Sequence, residues 1–178
     1  MIRSQTILTL EGVGFPPCSA RGCVQKLYLL GAKEAFRRTV NGQLLYIGDA
    51  EHEKWGSTIR CQDDAMAALG AIRCGDVLQV GCIVTLTQTV NSLKQALISL
   101  NRPAVQDAIV LYDATNKPVP FKVEDPQKVV MTLEENSVYA EPVFLSYRPY
   151  LRMMVQKMHY DVDEWGMKTS WFLEMAEV

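Results

Sequence analysis

The sequence predicts a mostly β, antiparallel protein: a β-sandwich or barrel-like domain with one short helix. Three observations predict it. Short apolar segments recur between turn-forming residues, an Asn41-Gly42 pair separates two of them, and apolar and polar residues alternate over residues 78–87 and again near the C terminus. The chain does not alternate strand patterns with helical ones, as a parallel sheet with covering helices requires.

Taken in order, residues 6–10 and 24–30 are rich in β-branched, aromatic and leucine side chains, with the breakers Gly12-Val13-Gly14-Phe15-Pro16-Pro17 between them. Each segment reads as a strand. Residues 36–40 and 43–47 flank Asn41-Gly42, a pair suited to the positive φ angles of a two-residue turn, so a hairpin is predicted. Residues 57–62 read as a shorter strand, with Thr58 and Arg60 facing away from Ile59 and Cys61, and residues 63–69 as a single helical turn or a loop. Over residues 78–87, Leu78, Val80, Cys82, Val84 and Leu86 hold the even positions and Ile83 breaks the pattern. One half-buried strand is predicted there, preceded by a turn at Gly75 and Asp76.

Ser92 is placed to cap a helix over residues 92–100, because Leu93, Leu97 and Leu100 share a helical face before Asn101 and Pro103 end the pattern. Residues 109–112, 119–123 and 128–133 continue as strands, the first two joined by a polar turn over 113–118. Near the C terminus Leu151, Met153 and Val155 share one face, as do Met167, Trp171, Leu173 and Met175 after a turn over 161–166. A long closing hairpin follows. With no repeat or linker, the expectation is a single domain over 1–178 carrying a small helical or loop insertion around 91–106.

Composition bounds the function. Hydrophobic residues make up 48% and charged residues 21% of the chain, enough for a packed core. Interspersed basic and acidic residues leave a net charge of −2, which argues against direct nucleic-acid binding. Polar residues interrupt every apolar run well short of about 18 positions, so stable membrane insertion is not expected. The five cysteines, Cys18, Cys23, Cys61, Cys74 and Cys82, have no Cys-x-x-Cys pairing. They read as free buried thiols of a protein made in a reducing cytoplasm, with Cys18 and Cys23 able to pair only under oxidation.

Site chemistry is sparse. The histidines are His52 and His159, and neither has a ligand partner at helical spacing. Asp63-Asp64 and Asp161-Val162-Asp163-Glu164 fall in predicted turns without calcium-loop spacing. Gly12-Val13-Gly14 is followed by Phe15-Pro16-Pro17, which denies a phosphate-cradling loop its backbone donors. Arg37, Arg38, Arg148 and Arg152 lie on separate strands or opposite faces and read as rim or salt-bridge residues. The expectation is a protein that is not an enzyme, with no catalytic, cofactor or metal site. If the closing hairpin buries one face, the other carries Tyr150, Met154, Met158, Tyr160 and Phe172. That surplus makes these five the candidate interface, with a second core layer as the competing reading.

The segments from Arg38-Thr39-Val40-Asn41-Gly42-Gln43-Leu44 through Trp55-Gly56-Ser57-Thr58-Ile59-Arg60-Cys61, and from Tyr147-Arg148-Pro149-Tyr150-Leu151 through Asp163-Glu164-Trp165-Gly166 to Trp171-Phe172-Leu173-Glu174-Met175, resemble tailed-bacteriophage tail and baseplate structural proteins of the distal-tail kind. The resemblance implies a virion subunit that joins identical copies in a ring and contacts other tail proteins. The rival expectation is a carbohydrate- or ligand-binding β-domain, with Trp55, Trp165 or Tyr150 as stacking platforms. A hydrolase using Asp161, Asp163, Glu164 or a cysteine is the weakest alternative.

Overall fold

A computed structural model describes residues 6–31, 35–48, 53–90, 97–131, 140–165 and 168–178. It is mostly β, as expected, with no helix among the described residues. Every strand pair whose register is defined is antiparallel. The chain divides into two compact units, Met1–Gln79 with Arg152–Val178, and Val80–Leu151.

The first unit contains β1 (Thr9–Leu10), β2 (Val24–Leu29), β3 (Phe36–Arg38), β4 (Leu44–Tyr46), β5 (Trp55–Asp63), most of β6 (Val77–Gly81), the C-terminal part of β12 (Val143–Val162) and β13 (Thr169–Glu177). β12, β13, β5 and β2 are consecutive neighbours, and β2 is the end of the described sheet. Alternation does the sorting. Ile59 and Cys61 of β5 and Trp171, Leu173 and Met175 of β13 are buried on one face, while Arg60, Phe172 and Glu174 fall on the other. The loop after β1 closes over the buried face: Phe15 stacks on Trp171 with ring centroids 6.4 Å apart. Trp171 Nε1 donates to the Ser19 carbonyl at 3.2 Å, which satisfies the polar end of a buried indole.

The closing hairpin is present, with a feature the alternation did not predict. Val155 pairs with Met175 but Lys157 pairs with Glu174, so Gln156 is an extra, bulged residue. Before the bulge the odd positions Leu151, Met153 and Val155 are buried. After it the even positions take over that side: Met158 lies opposite Leu173, and Tyr160 opposite Trp171.

β3 and β4 form a separate two-stranded sheet, Phe36 opposite Tyr46 and Arg38 opposite Leu44. The predicted hairpin is therefore there, but its tip is not a two-residue turn. The Gly42 N–H donates to the Thr39 carbonyl at 2.9 Å and Gly42 takes φ +79°, while Thr39 N–H donates to the Gln43 carbonyl at 2.9 Å. Val40, Asn41 and Gly42 form a three-residue loop whose last position needs the left-handed backbone that glycine tolerates.

The second unit holds β7 (Leu86–Val90), β8 (Leu97–Ser99), β9 (Ala104–Tyr112), β10 (Phe121–Asp125), β11 (Lys128–Met131) and the start of β12. β7 and β9 flank β12 in one sheet, and β10, β11 and β8 form another. Their buried side chains meet in one cluster: Val90, Leu111, Leu145 and Tyr147 come from the first sheet, Ile98 and Val129 from the second. This unit is a small sandwich. Asp113 anchors the turn after β9, its carboxylate accepting the Thr115, Lys117 and Ala140 N–H groups and the Thr115 hydroxyl.

Two further expectations are corrected. The strand predicted over residues 78–87 is two strands: β6 stops at Gly81, the Cys82 N–H turns to the Pro149 carbonyl at 3.0 Å, and β7 begins at Leu86. The break falls at Ile83, where the alternation fails. The predicted helix over 92–100 is contradicted at its described end, because residues 97–99 are β8, pairing with β11 and burying Ile98 between exposed Leu97 and Ser99. Ser92 and the rest of that segment lie outside the described residues. Of residues 63–69, Asp63 ends β5 and 64–69 form a loop without a helical turn, bridged from Ala68 to Gly14.

Candidate functional site

The five candidate interface residues do not share a face. Met154 and Phe172 are on the outer face of the first unit's sheet, opposite Ala176 and His159. The bulge carries Met158 and Tyr160 to the other side, next to Leu173 and Trp171, where Met158 is half-buried and Tyr160 is exposed. Tyr150 belongs to the second unit and is half-buried. Strict alternation along β12 cannot anticipate this division, because one inserted residue reverses the facing of all that follow.

On the outer face, register lines up Val24, Arg60, Phe172 and His159 across β2, β5, β13 and β12. His159 stacks on Phe172 with centroids 4.6 Å apart, and the Arg60 guanidinium lies 5.3 Å from the same ring centroid. An open depression of about 620 Å³ runs along this face, lined in part by Val24, Arg60, Lys157, His159, Asp161 and Phe172. His52, the second histidine, lies outside the described residues.

Of the carboxylates singled out in the sequence, Asp63, Asp64 and Asp161 have side-chain partners. Asp63 accepts from Arg21 at 2.7 Å and Asp64 from the same guanidinium at 2.5 Å. The Arg21 hydrogen bond holds the Asp63 carboxyl at about 2, below its usual range. Asp113 is also held at about 2, first by the Thr115 hydroxyl and then by the backbone donors of its turn. Asp161 accepts a 3.5 Å hydrogen bond from Ser170. Among the described residues, no group of three or more His, Cys, Asp or Glu side chains is placed to hold a metal ion.

All five thiols are free, but only Cys61 and Cys82 are buried; Cys18 and Cys23 are half-buried and Cys74 is exposed. Cys61 Sγ donates to the Ser19 carbonyl at 3.7 Å. The Cys23 thiol is pushed up, chiefly by its hydrogen bond with Cys61 and then by burial.

The largest concentration of exposed apolar side chains lies elsewhere. All six residues of β3 and β4 are exposed. Phe36, Leu44 and Tyr46 share one face and Leu45 sits with Arg37 on the other, and Val40 and Ile47 extend the patch. The Phe36 and Tyr46 rings pack on each other at 5.2 Å. An isolated two-stranded hairpin is marginal in water, and this one has exposed residues on both of its faces. The sequence marks the hairpin through Asn41-Gly42, but nothing in its local pattern says that its strand residues are exposed.

No family model, curated protein or solved structure matches this chain.

Proposed function

We propose that this chain is a structural subunit of a bacteriophage tail or baseplate, which joins identical copies and neighbouring tail proteins and acts through contact rather than catalysis. The observation that carries the assembly part of this reading is the β3–β4 hairpin, whose six strand residues are all exposed and include four large apolar side chains. Covering such side chains is favourable at about 25 cal/mol per Å² of apolar surface removed from water. The resemblance of residues 38–61 and 147–175 to tail and baseplate proteins supplies the class of assembly. In that setting the partners are copies in a ring and other tail proteins, without direct contact to nucleic acid or stable insertion in a membrane, and the working location is the virion.

The test is sedimentation of the purified protein with electron microscopy of the same fraction, together with mass spectrometry of purified virions. Defined oligomers and a virion-borne chain are expected. A protein that stays a 20.0 kDa monomer at every concentration and is absent from virions overturns the reading.

One observation favours a second reading, glycan binding: Trp165 is 85% exposed at the end of the closing hairpin, whereas Trp55 and Tyr150 are half-buried. Phe172 is a poorer platform, because His159 and Arg60 already lie against its ring. Glycan-array binding that disappears in Trp165→Ala would support this alternative.

A further inference from the structure

Two exposed apolar regions of the first unit, the β3–β4 hairpin and the end of the closing hairpin, carry complementary charges. The β3–β4 hairpin leaves β2 after Leu29 and returns to β5 at Trp55, where Leu29 and Trp55 are paired. The turn of the closing hairpin lies at the other end of β5, where Val162 pairs with Thr169 and Thr169 with Asp63. β5 runs from one end to the other, a span of about 25 Å at roughly 3.3 Å per residue.

In the first region, residues 36–47 carry Arg37 and Arg38 among exposed Phe36, Leu44, Leu45 and Tyr46, and the Glu53 carboxylate accepts from the Tyr46 hydroxyl at 3.0 Å. In the second, residues 160–165 are all exposed and alternate apolar with acidic side chains: Tyr160, Asp161, Val162, Asp163, Glu164 and Trp165. Lys168 is the one basic residue in the turn that follows. After the bulge, Tyr160 and Val162 lie opposite Trp171 and Thr169, yet both are exposed.

We infer that the basic, apolar β3–β4 hairpin of one copy docks on the acidic, apolar end of the β12–β13 hairpin of the next. This rests on the assembly reading and adds to it the two surfaces and the direction of the contact. A contact between two different patches is head-to-tail: each copy keeps one free hairpin and one free acidic end, so copies add until a ring closes or a filament grows. Opposite charges at the rim set the register and speed the encounter, while the aromatic and leucine side chains supply the buried centre. A face-to-face pair of hairpins is disfavoured, since it would bring two arginine pairs together.

The test uses the full chain with two charge reversals, Arg38→Glu and Glu164→Arg, followed by sedimentation. Both positions are exposed, and circular dichroism on each variant checks that the fold is kept. Each variant alone is expected to sediment as the 20.0 kDa monomer where the unaltered protein is assembled, because like charges then meet at the contact. An equimolar mixture is expected to assemble again: the carboxylate introduced into the hairpin of one variant meets the guanidinium introduced into the acidic end of the other, and the remaining contacts keep the original pair. Assembly that survives both reversals, or a mixture that stays monomeric, overturns the head-to-tail contact and leaves the assembly reading standing. An unaltered protein that is monomeric at all concentrations overturns both.

Discussion

The closing hairpin β12–β13 and the hairpin β3–β4 are both antiparallel pairs of the first unit, yet Trp171, Leu173 and Met175 of β13 are buried while no residue of β3 or β4 is. Both are rich in aromatic and aliphatic side chains. The difference is that one is laid against a loop and neighbouring strands, with Phe15 and Ser19 closing over Trp171, and the other forms a sheet of its own. On the proposed reading, apolar character does two jobs in this unit: it is buried and holds the chain together in one place, and it is exposed in the other, which the proposal takes as a surface for another molecule.

Truncation should separate the two jobs most clearly. Leu173→Ala removes a fully buried side chain and is expected to lower unfolding free energy by about 2–5 kcal/mol, read from the denaturant midpoint. Leu45→Ala, in the exposed hairpin, is expected to change the monomer's stability by less than about 0.5 kcal/mol. Equal losses would show that the hairpin has a covering within its own chain.

Acid titration sharpens the picture of the anchored carboxylates. Asp63 and Asp113 are depressed to about 2 from an ordinary 3.8, so the stability they contribute is present above about pH 4 and fades as pH falls toward 2. Asp113→Asn should make the acid limb of an unfolding-versus-pH curve shallower across that window. The smallest effect is expected from thiol labelling of the native protein: exposed Cys74 should react first, and buried Cys61 and Cys82 only after unfolding. Early modification of Cys61 would mean that the loop over Trp171 opens readily.

Much of the strand pattern is legible because alternation and turn chemistry are local. Residues 24–30 and 57–62, the turn at 113–118 and the closing hairpin follow from side-chain type alone. The misreadings have non-local causes. Leucine spacing over 93–100 fits a helical face, but pairing with β11 draws residues 97–99 into a strand. The reversal of facing in β12 is written in the consecutive polar residues Gln156-Lys157 between Val155 and Met158, a signal that means a bulge only once the partner strand is known. The candidate interface is half legible: Tyr160 is exposed at the proposed contact, but the sequence shows the hairpin that would meet it only as a strand pair.

The end strand β2 has one more consequence. Its sequence, Val-Gln-Lys-Leu-Tyr-Leu, has a single charge, and one edge of it is unpaired among the described residues. A short apolar strand with an open row of amides and carbonyls is a template for unwanted growth, and Lys26 is the residue that discourages it. Lys26→Thr is therefore expected to hasten the appearance of thioflavin-positive aggregates in concentrated solution.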